Sequence, residues 1–121
     1  MKKILVVDDK SSISKLIVQF LSTNYEVETK EDGLQALSWL QEGNIPDLIL
    51  TDLQMPNLDG FELIEHVRSS GYFKDVPIIV LSSLDSSNDR IKCLKMGAED
   101  YLVKPFNPEE LIIRIDRILK R

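Results

Sequence analysis

At 121 residues, with 43% hydrophobic and 29% charged positions, the chain has the size of one domain and enough apolar material to bury a core without staples. That balance excludes a disordered segment, and no apolar stretch approaches the ~18 residues that span a bilayer. A net charge of -5 argues against nucleic-acid binding by this domain itself, since phosphate binding needs clustered Lys and Arg, and the single cysteine, Cys93, excludes an internal disulfide. The apolar run 4–7 after Met1-Lys2-Lys3 is too short for a signal peptide, so a cytoplasmic protein with no membrane association is expected.

Residues 3–7 form a β-branched run ending in Asp8-Asp9, after which Ser11-Ser12 offers an N-cap for a helix with Ile13, Leu16, Ile17, Phe20 and Leu21 on one face. Residues 25–29 alternate as a second, short strand. Asp32-Gly33 opens a helix that turns Leu34, Leu37 and Leu40 inward and ends at Gly43-Asn44 and Pro46. The next apolar run, 47–52, reads as a buried strand that delivers Asp52 at its carboxyl end. A polar loop follows, and Asp59 can cap a helix carrying Phe61, Ile64 and Val67 that stops at Ser70-Gly71. Residues 76–81 are the most apolar run and end in Ser82-Ser83. A polar tract, 85–90, feeds a helix that buries Ile91 and Leu94 and ends at Gly97. Residues 101–103 form a fifth strand, broken by Lys104-Pro105. Asn107 or Pro108 starts the last helix, with Leu111, Ile112, Ile115, Ile118 and Leu119 at core spacing and Arg117, Lys120 and Arg121 ending on the helix rather than in a tail.

Strict alternation of five strands and five helices implies an α/β fold: a five-stranded parallel sheet flanked by helices on both faces, doubly wound and flavodoxin-like, with strand order 2-1-3-4-5 and residues 1–121 as a single domain. Ligands bind such sheets at the carboxyl ends of the strands. The residues there are Asp8-Asp9, Asp52, Ser82 and Lys104, from strands that are neighbours in this order. Singly, each is a turn or capping residue; together they form a site. Converging carboxylates repel by about 4 kcal/mol per pair at 4 Å and an effective dielectric near 20, so cations must sit among them. Lys104 supplies one charge and a divalent ion two. Hard oxygen donors with no nearby His or Cys select Mg²⁺. Such a site can clamp a phosphoryl group between metal and Lys104 while an Asp carboxylate attacks phosphorus, with Ser82 donating to a phosphoryl oxygen. Lys104 precedes Pro105, which restricts its backbone and permits a cis peptide that aims it inward. His66, beside Glu65, reads as a solvated side chain and Cys93 as a packed or half-exposed helix residue.

Across essentially its whole length the sequence resembles the receiver domain of two-component response regulators, the CheY-like superfamily. The resemblance rests on Asp8-Asp9, Asp52 with Met55-Pro56 and Asp59-Gly60, Ser82, Gly97-Ala98, and Asp100-Tyr101 with Lys104-Pro105-Phe106. It implies a signalling switch rather than an enzyme. Asp52 would accept phosphate from the phosphohistidine of a sensor histidine kinase or phosphotransfer protein, using Mg²⁺ held by Asp9, Asp52 and the Gln54 backbone carbonyl, with Asp8 assisting. It also implies that Ser82 and Tyr101 form the switch and that Lys104 pairs with the phosphoryl group. Few apolar anchors hold the tract 85–90, so the face of the fourth and fifth helices and fifth strand is the expected readout surface, for an output partner or a homodimer, with Phe106 and Ile113 as candidate contacts.

The chain departs from the family pattern in places. Lys10 follows the Asp pair where many receivers carry another acid, Ser82 replaces the commoner Thr, and Ser83 the commoner Ala. Gln54 and Leu84, two residues past Asp52 and Ser82, occupy positions that tune phosphate lifetime in this family; an apolar Leu84 cannot orient an attacking water, so slow self-dephosphorylation is expected. The long connection 69–75, with Tyr72-Phe73, looks more like stand-alone or hybrid-kinase receivers than transcription-factor ones. Three rivals stay open at this level. A flavodoxin-like electron carrier shares the architecture, but Asp8-Asp9 would repel a flavin phosphate. A phosphatase with an Asp nucleophile needs a second Asp two residues on, where Lys10 and Gln54 stand. A receiver lookalike that binds partners without phosphorylation would leave the acidic site vestigial.

Overall fold

The computed structural model describes residues 1–120, so Arg121 and its expected place at the end of the last helix lie outside the described residues. The elements run β1 (Lys3–Val7), α1 (Ser11–Leu21), β2 (Glu26–Lys30), α2 (Gly33–Gln41), β3 (Leu48–Thr51), α3 (Gly60–Ser69), β4 (Ile78–Ser82), α4 (Ser87–Met96), β5 (Asp100–Val103) and α5 (Pro108–Leu119). All strand pairings are parallel, in the order β2-β1-β3-β4-β5. This is the architecture expected from the alternation of elements.

The alternation of strand side chains explains why the central strands are apolar throughout. Leu5, Val7, Ile49, Ile78 and Val80 point to one face, where Ala36, Trp39 and Leu40 of α2, Leu63, Ile64 and Val67 of α3, and Cys93 of α4 cover them. Ile4, Val6, Leu48, Leu50, Ile79 and Leu81 point to the other, under Ile17 and Leu21 of α1 and Leu111, Ile115 and Leu119 of α5. Each helix start has a local cause where a cap is present. Asp59 and Glu62 form a reciprocal capping box on α3, Asp32 caps α2, and Asn107 caps α5 with Pro108 in its first turn.

Several helical faces differ from the sequence expectation. Leu16 and Phe20 of α1 are 39% and 36% exposed, and the buried face is Ser14, Ile17 and Leu21. At about 100° per residue, Leu16 and Phe20 stand a third of a turn from Ile17 and Leu21, beyond what one sheet face covers. Ser11-Ser12 does not cap α1: Lys10 is the N-cap residue and makes no side-chain cap bond, while its N–H is taken by Asp8 Oδ1 at 2.9 Å. Leu34, in the first turn of α2, is 53% exposed. Ile91 and Leu94 of α4 are also half exposed, and Cys93 is the residue that α4 buries. The helix is rotated so that its small thiol, not its branched side chains, meets the sheet. β2 starts at Glu26, one residue later than expected, because the Tyr25 N–H is taken by the Leu21 carbonyl at the end of α1; the Tyr25 ring is buried and its hydroxyl donates to Asp116.

The carboxyl end of α4 is held from α3. Arg68 donates two hydrogen bonds to the Gly97 carbonyl, at 2.8 and 3.1 Å, and others to the carbonyls of Lys74 and Val76. Among the described residues, no helix is long and apolar enough to cross a membrane.

Candidate functional site

Register brings the first two parts of the site together. Val7 pairs with Thr51, so the next residue of each strand, Asp8 and Asp52, emerges abreast at the sheet's carboxyl edge. Hydrogen bonds from Asp52 N–H to the Val7 carbonyl and from Asp8 N–H to the Lys30 carbonyl, both 3.0 Å, hold those backbones in line with the strands. Both side chains are buried, at 4% and 6% exposure, while Asp9 beside them is open to solvent. One carboxylate oxygen from each of Asp8, Asp9 and Asp52 lies within 4.8 Å of the others. Behind them, Gly60 packs against the Asp52 carbonyl so closely that a Cβ would collide with it, which ties the start of α3 to the end of β3.

Lys104 enters from β5. Its N–H donates to the Ser82 carbonyl at 2.8 Å and its bond to Pro105 is cis. Its ammonium lies 2.7 Å from Asp8 Oδ2 and 3.1 Å from Asp52 Oδ2. Burial acts to lower the Lys104 pKa, but the hydrogen bonds and charges of Asp8 and Asp52 outweigh it and hold the group above its ordinary value. One fixed cation therefore faces three carboxylates. The remaining charge, the all-oxygen donor set and the partial exposure of Asp9 fit a hard divalent cation such as Mg²⁺. Asp52 Oδ1 accepts the Leu53 N–H at 2.6 Å and, more weakly, the Gln54 N–H at 3.4 Å, which orients the carboxylate.

Ser82 is fully buried at the end of β4. No hydrogen bond joins it to the acidic cluster among the described residues; its Oγ accepts the Leu84 N–H at 3.1 Å. Tyr101, 8% exposed on the neighbouring strand, donates its hydroxyl to the Leu84 carbonyl at 2.6 Å. Burial raises the Tyr101 phenol above its usual value, with the Ser82 hydroxyl opposing. The backbone of Leu84 is thus held on one side by Ser82 and on the other by Tyr101, directly before α4. Sequence reading placed Ser82 and Tyr101 near each other but did not foresee Leu84 as the link, because a backbone bridge leaves no residue-type signal.

In the sequence Asp32 marks only a helix start and Asn57 carries no distinguishing signal. The structure joins them at 2.7 Å beside the loop that carries Gln54. An asparagine in a loop after Pro is an ordinary turn residue by composition, so only the fold shows the pairing. His66 is exposed, as expected, and Ile113 is 56% exposed on α5.

A family model for the response regulator receiver domain matches residues 4–116. Among curated proteins, the chain is 46% identical over 121 residues to a probable transcriptional regulator, ycf27, of Cyanophora paradoxa, covering 99% of this chain and 49% of that protein. The chain spans about half the length of the curated relatives it matches. Among solved structures, the receiver domain of Francisella response regulator 1452 is 39% identical with a TM-score of 0.91, covering 100% of this chain and 98% of that one. The receiver domain of sensor histidine kinase PA1611 from Pseudomonas aeruginosa PAO1, solved with a magnesium ion coordinated in its active site cleft, is 34% identical with a TM-score of 0.89, covering 99% of this chain and 98% of that one. These relatives include both a probable transcriptional regulator and a kinase receiver.

Proposed function

The chain belongs to the response regulator receiver domain family, and from that membership we propose that Asp52 accepts a phosphoryl group from the phosphohistidine of a sensor histidine kinase or phosphotransfer protein. Receiver domains are signalling switches rather than enzymes in the ordinary sense. The observation that carries the residue assignment is the position of Asp52: a buried carboxylate at the end of β3, within 4.8 Å of the Asp8 and Asp9 carboxylates and bonded to Lys104.

A carboxylate oxygen of Asp52 attacks phosphorus in line with the P–N bond of the donor. As the O–P bond forms, the P–N bond breaks and its electron pair returns to the imidazole. The Lys104 ammonium, now shared between Asp8 and Asp52, is placed to follow the incoming phosphoryl oxygens. Asp9, Asp52 and the Gln54 carbonyl would hold Mg²⁺, with Asp8 assisting. When bound, the ion supplies charge neutralisation at the phosphoryl oxygens.

The switch follows from the hydroxyl of Ser82. Phosphorylation adds about one negative charge and new acceptor oxygens at Asp52, which draw that hydroxyl toward the phosphoryl group. Moving Ser82 releases the Leu84 N–H, and the Leu84 carbonyl is the partner of Tyr101. A change at Asp52 is in this way passed to the start of α4, a helix that buries only Cys93. The face of α4, β5 and α5 is therefore the readout surface, for an output partner or a second copy of the chain. Incubation with a phosphorylated histidine kinase and Mg²⁺ tests the reading: wild type is expected to take up phosphate and Asp52→Asn is not. Equal uptake by Asp52→Asn would overturn it.

A further inference from the structure

Resting on the reading of Asp9, Asp52 and the Gln54 carbonyl as the Mg²⁺ ligands, we propose that Asp32 and Asn57 are positioning residues for that carbonyl. They form a side-chain clamp that sets the course of the loop between β3 and α3 from outside the acidic pocket. Asn57 lies in the left-handed region, with φ 68°, where a residue with a side chain needs a compensating contact. Its Nδ2 donates to Asp32 Oδ2 at 2.7 Å, 25 residues away in sequence. Asp32 is 4% exposed, and its other oxygen is engaged by the Gln35 N–H at 2.8 Å as the cap of α2.

The pairing continues one residue further. Gly33 N–H donates to the Leu58 carbonyl at 3.0 Å, and a Cβ at Gly33 would run into Leu58. Two consecutive residues at the start of α2 are thus locked to two consecutive residues of the loop. At the near end of the loop, Gly60 N–H fixes the Leu53 carbonyl at 2.9 Å. Gln54 stands between these fixed points, and its own tie is the long 3.4 Å contact of its N–H to Asp52. The direction of its carbonyl is therefore inherited from Leu53 on one side and Asn57 on the other. A neutral carbonyl is a weak ligand and contributes affinity only when it is already aimed.

The clamp can be separated from the helix cap it shares. Asp32→Ser keeps a hydroxyl oxygen for the Gln35 N–H but is too short to reach Asn57, whereas Asp32→Asn alone would still bond a flipped Asn57 amide. Asn57→Asp tolerates the same backbone and sets two carboxylates face to face. The double variant Asp32→Asn with Asn57→Asp restores one hydrogen bond with donor and acceptor exchanged, at unchanged net charge. The measurements are Mg²⁺ affinity by calorimetry and amide hydrogen exchange of residues 54–58 in the metal-free protein. Asp32→Ser and Asn57→Asp are each expected to weaken Mg²⁺ by about tenfold and to speed exchange, and the double variant to recover both. Unchanged affinity in the singles, or no recovery in the double variant relative to Asn57→Asp, would overturn the clamp. Asp52→Asn separates the two levels. If it binds Mg²⁺ as wild type does, the metal is not in the acidic pocket and both readings fall; if it alone loses Mg²⁺, only the clamp falls.

Discussion

Lys104 stands 2.7 Å from Asp8 and 3.1 Å from Asp52, so one buried cation is shared between the two carboxylates that end β1 and β3. Both Asp52 oxygens are engaged, Oδ2 by Lys104 and Oδ1 by the Leu53 N–H, so the carboxylate is screened and held in one orientation.

Removing that cation should expose the repulsion it offsets. Lys104→Met is expected to cost about 3–5 kcal/mol in metal-free buffer, as breaking a buried ion pair does. The opposite change, Asp52→Asn, removes one carboxylate and should raise the melting temperature without Mg²⁺. Added Mg²⁺ should then stabilise wild type, by about 2.7 kcal/mol at a hundred times its dissociation constant, and leave Asp52→Asn nearly unmoved. Thermal melts with and without MgCl₂ read all three.

The pH dependence has two limbs of opposite origin. Lys104 is raised above 10.5 in the folded protein, so its stabilising contribution is complete below that value and is lost as pH rises through the folded pKa. Asp32 is lowered below 3.8, first by the Gln35 N–H and then by Asn57 against the effect of burial, so its contribution is present above 3.8 and is lost as pH falls through the folded pKa. Urea midpoints against pH should show Lys104→Met flattening the alkaline limb and Asp32→Asn the acid one.

Leu84 is partly buried and packs its apolar side chain against the edge of the core layer that faces α2, α3 and α4. With no group there to orient a water, the phosphorylated protein should be long-lived. Leu84→Glu is expected to speed decay of the phosphorylated form by roughly tenfold or more, as a positioned general base does. An unchanged decay rate would remove Leu84 from the account.

Cys93 is fully buried, and its thiol is pushed up to about 11 by burial, with Asp89 adding to the effect. It should resist a thiol-reactive disulfide reagent in the native protein and react only as fast as α4 detaches. Phosphorylation, by loosening the start of α4, is expected to raise that rate severalfold.

The elements and their order were legible because β1, β3, β4 and β5 carry short apolar runs, β2 alternates, and most helices have a start or stop signal, such as Asp59, Asn107 and Gly97. The acidic site was legible for the same reason: strand ends are readable, and parallel register does the rest. What stayed hidden was rotation about helix axes. Ile91, Leu94, Leu16 and Phe20 have core chemistry, but a helix covers a sheet with only part of its circumference, and which part is decided by tertiary packing. Contacts made through backbone groups, at Leu84 and at Leu58, were equally invisible, since any residue type can supply them.

The four hydrogen bonds of Arg68, two of them to Gly97, give α4 a pivot. Its other end hangs on the Leu84 backbone and a local Ser86 cap. A helix fastened more firmly at one end is expected, if it moves, to swing as a lever, with displacement smallest at Met96 and greatest at Ser87. On the proposed switch, a partner gripping α4 near Ser87 would sense a larger stroke than one gripping it at Met96.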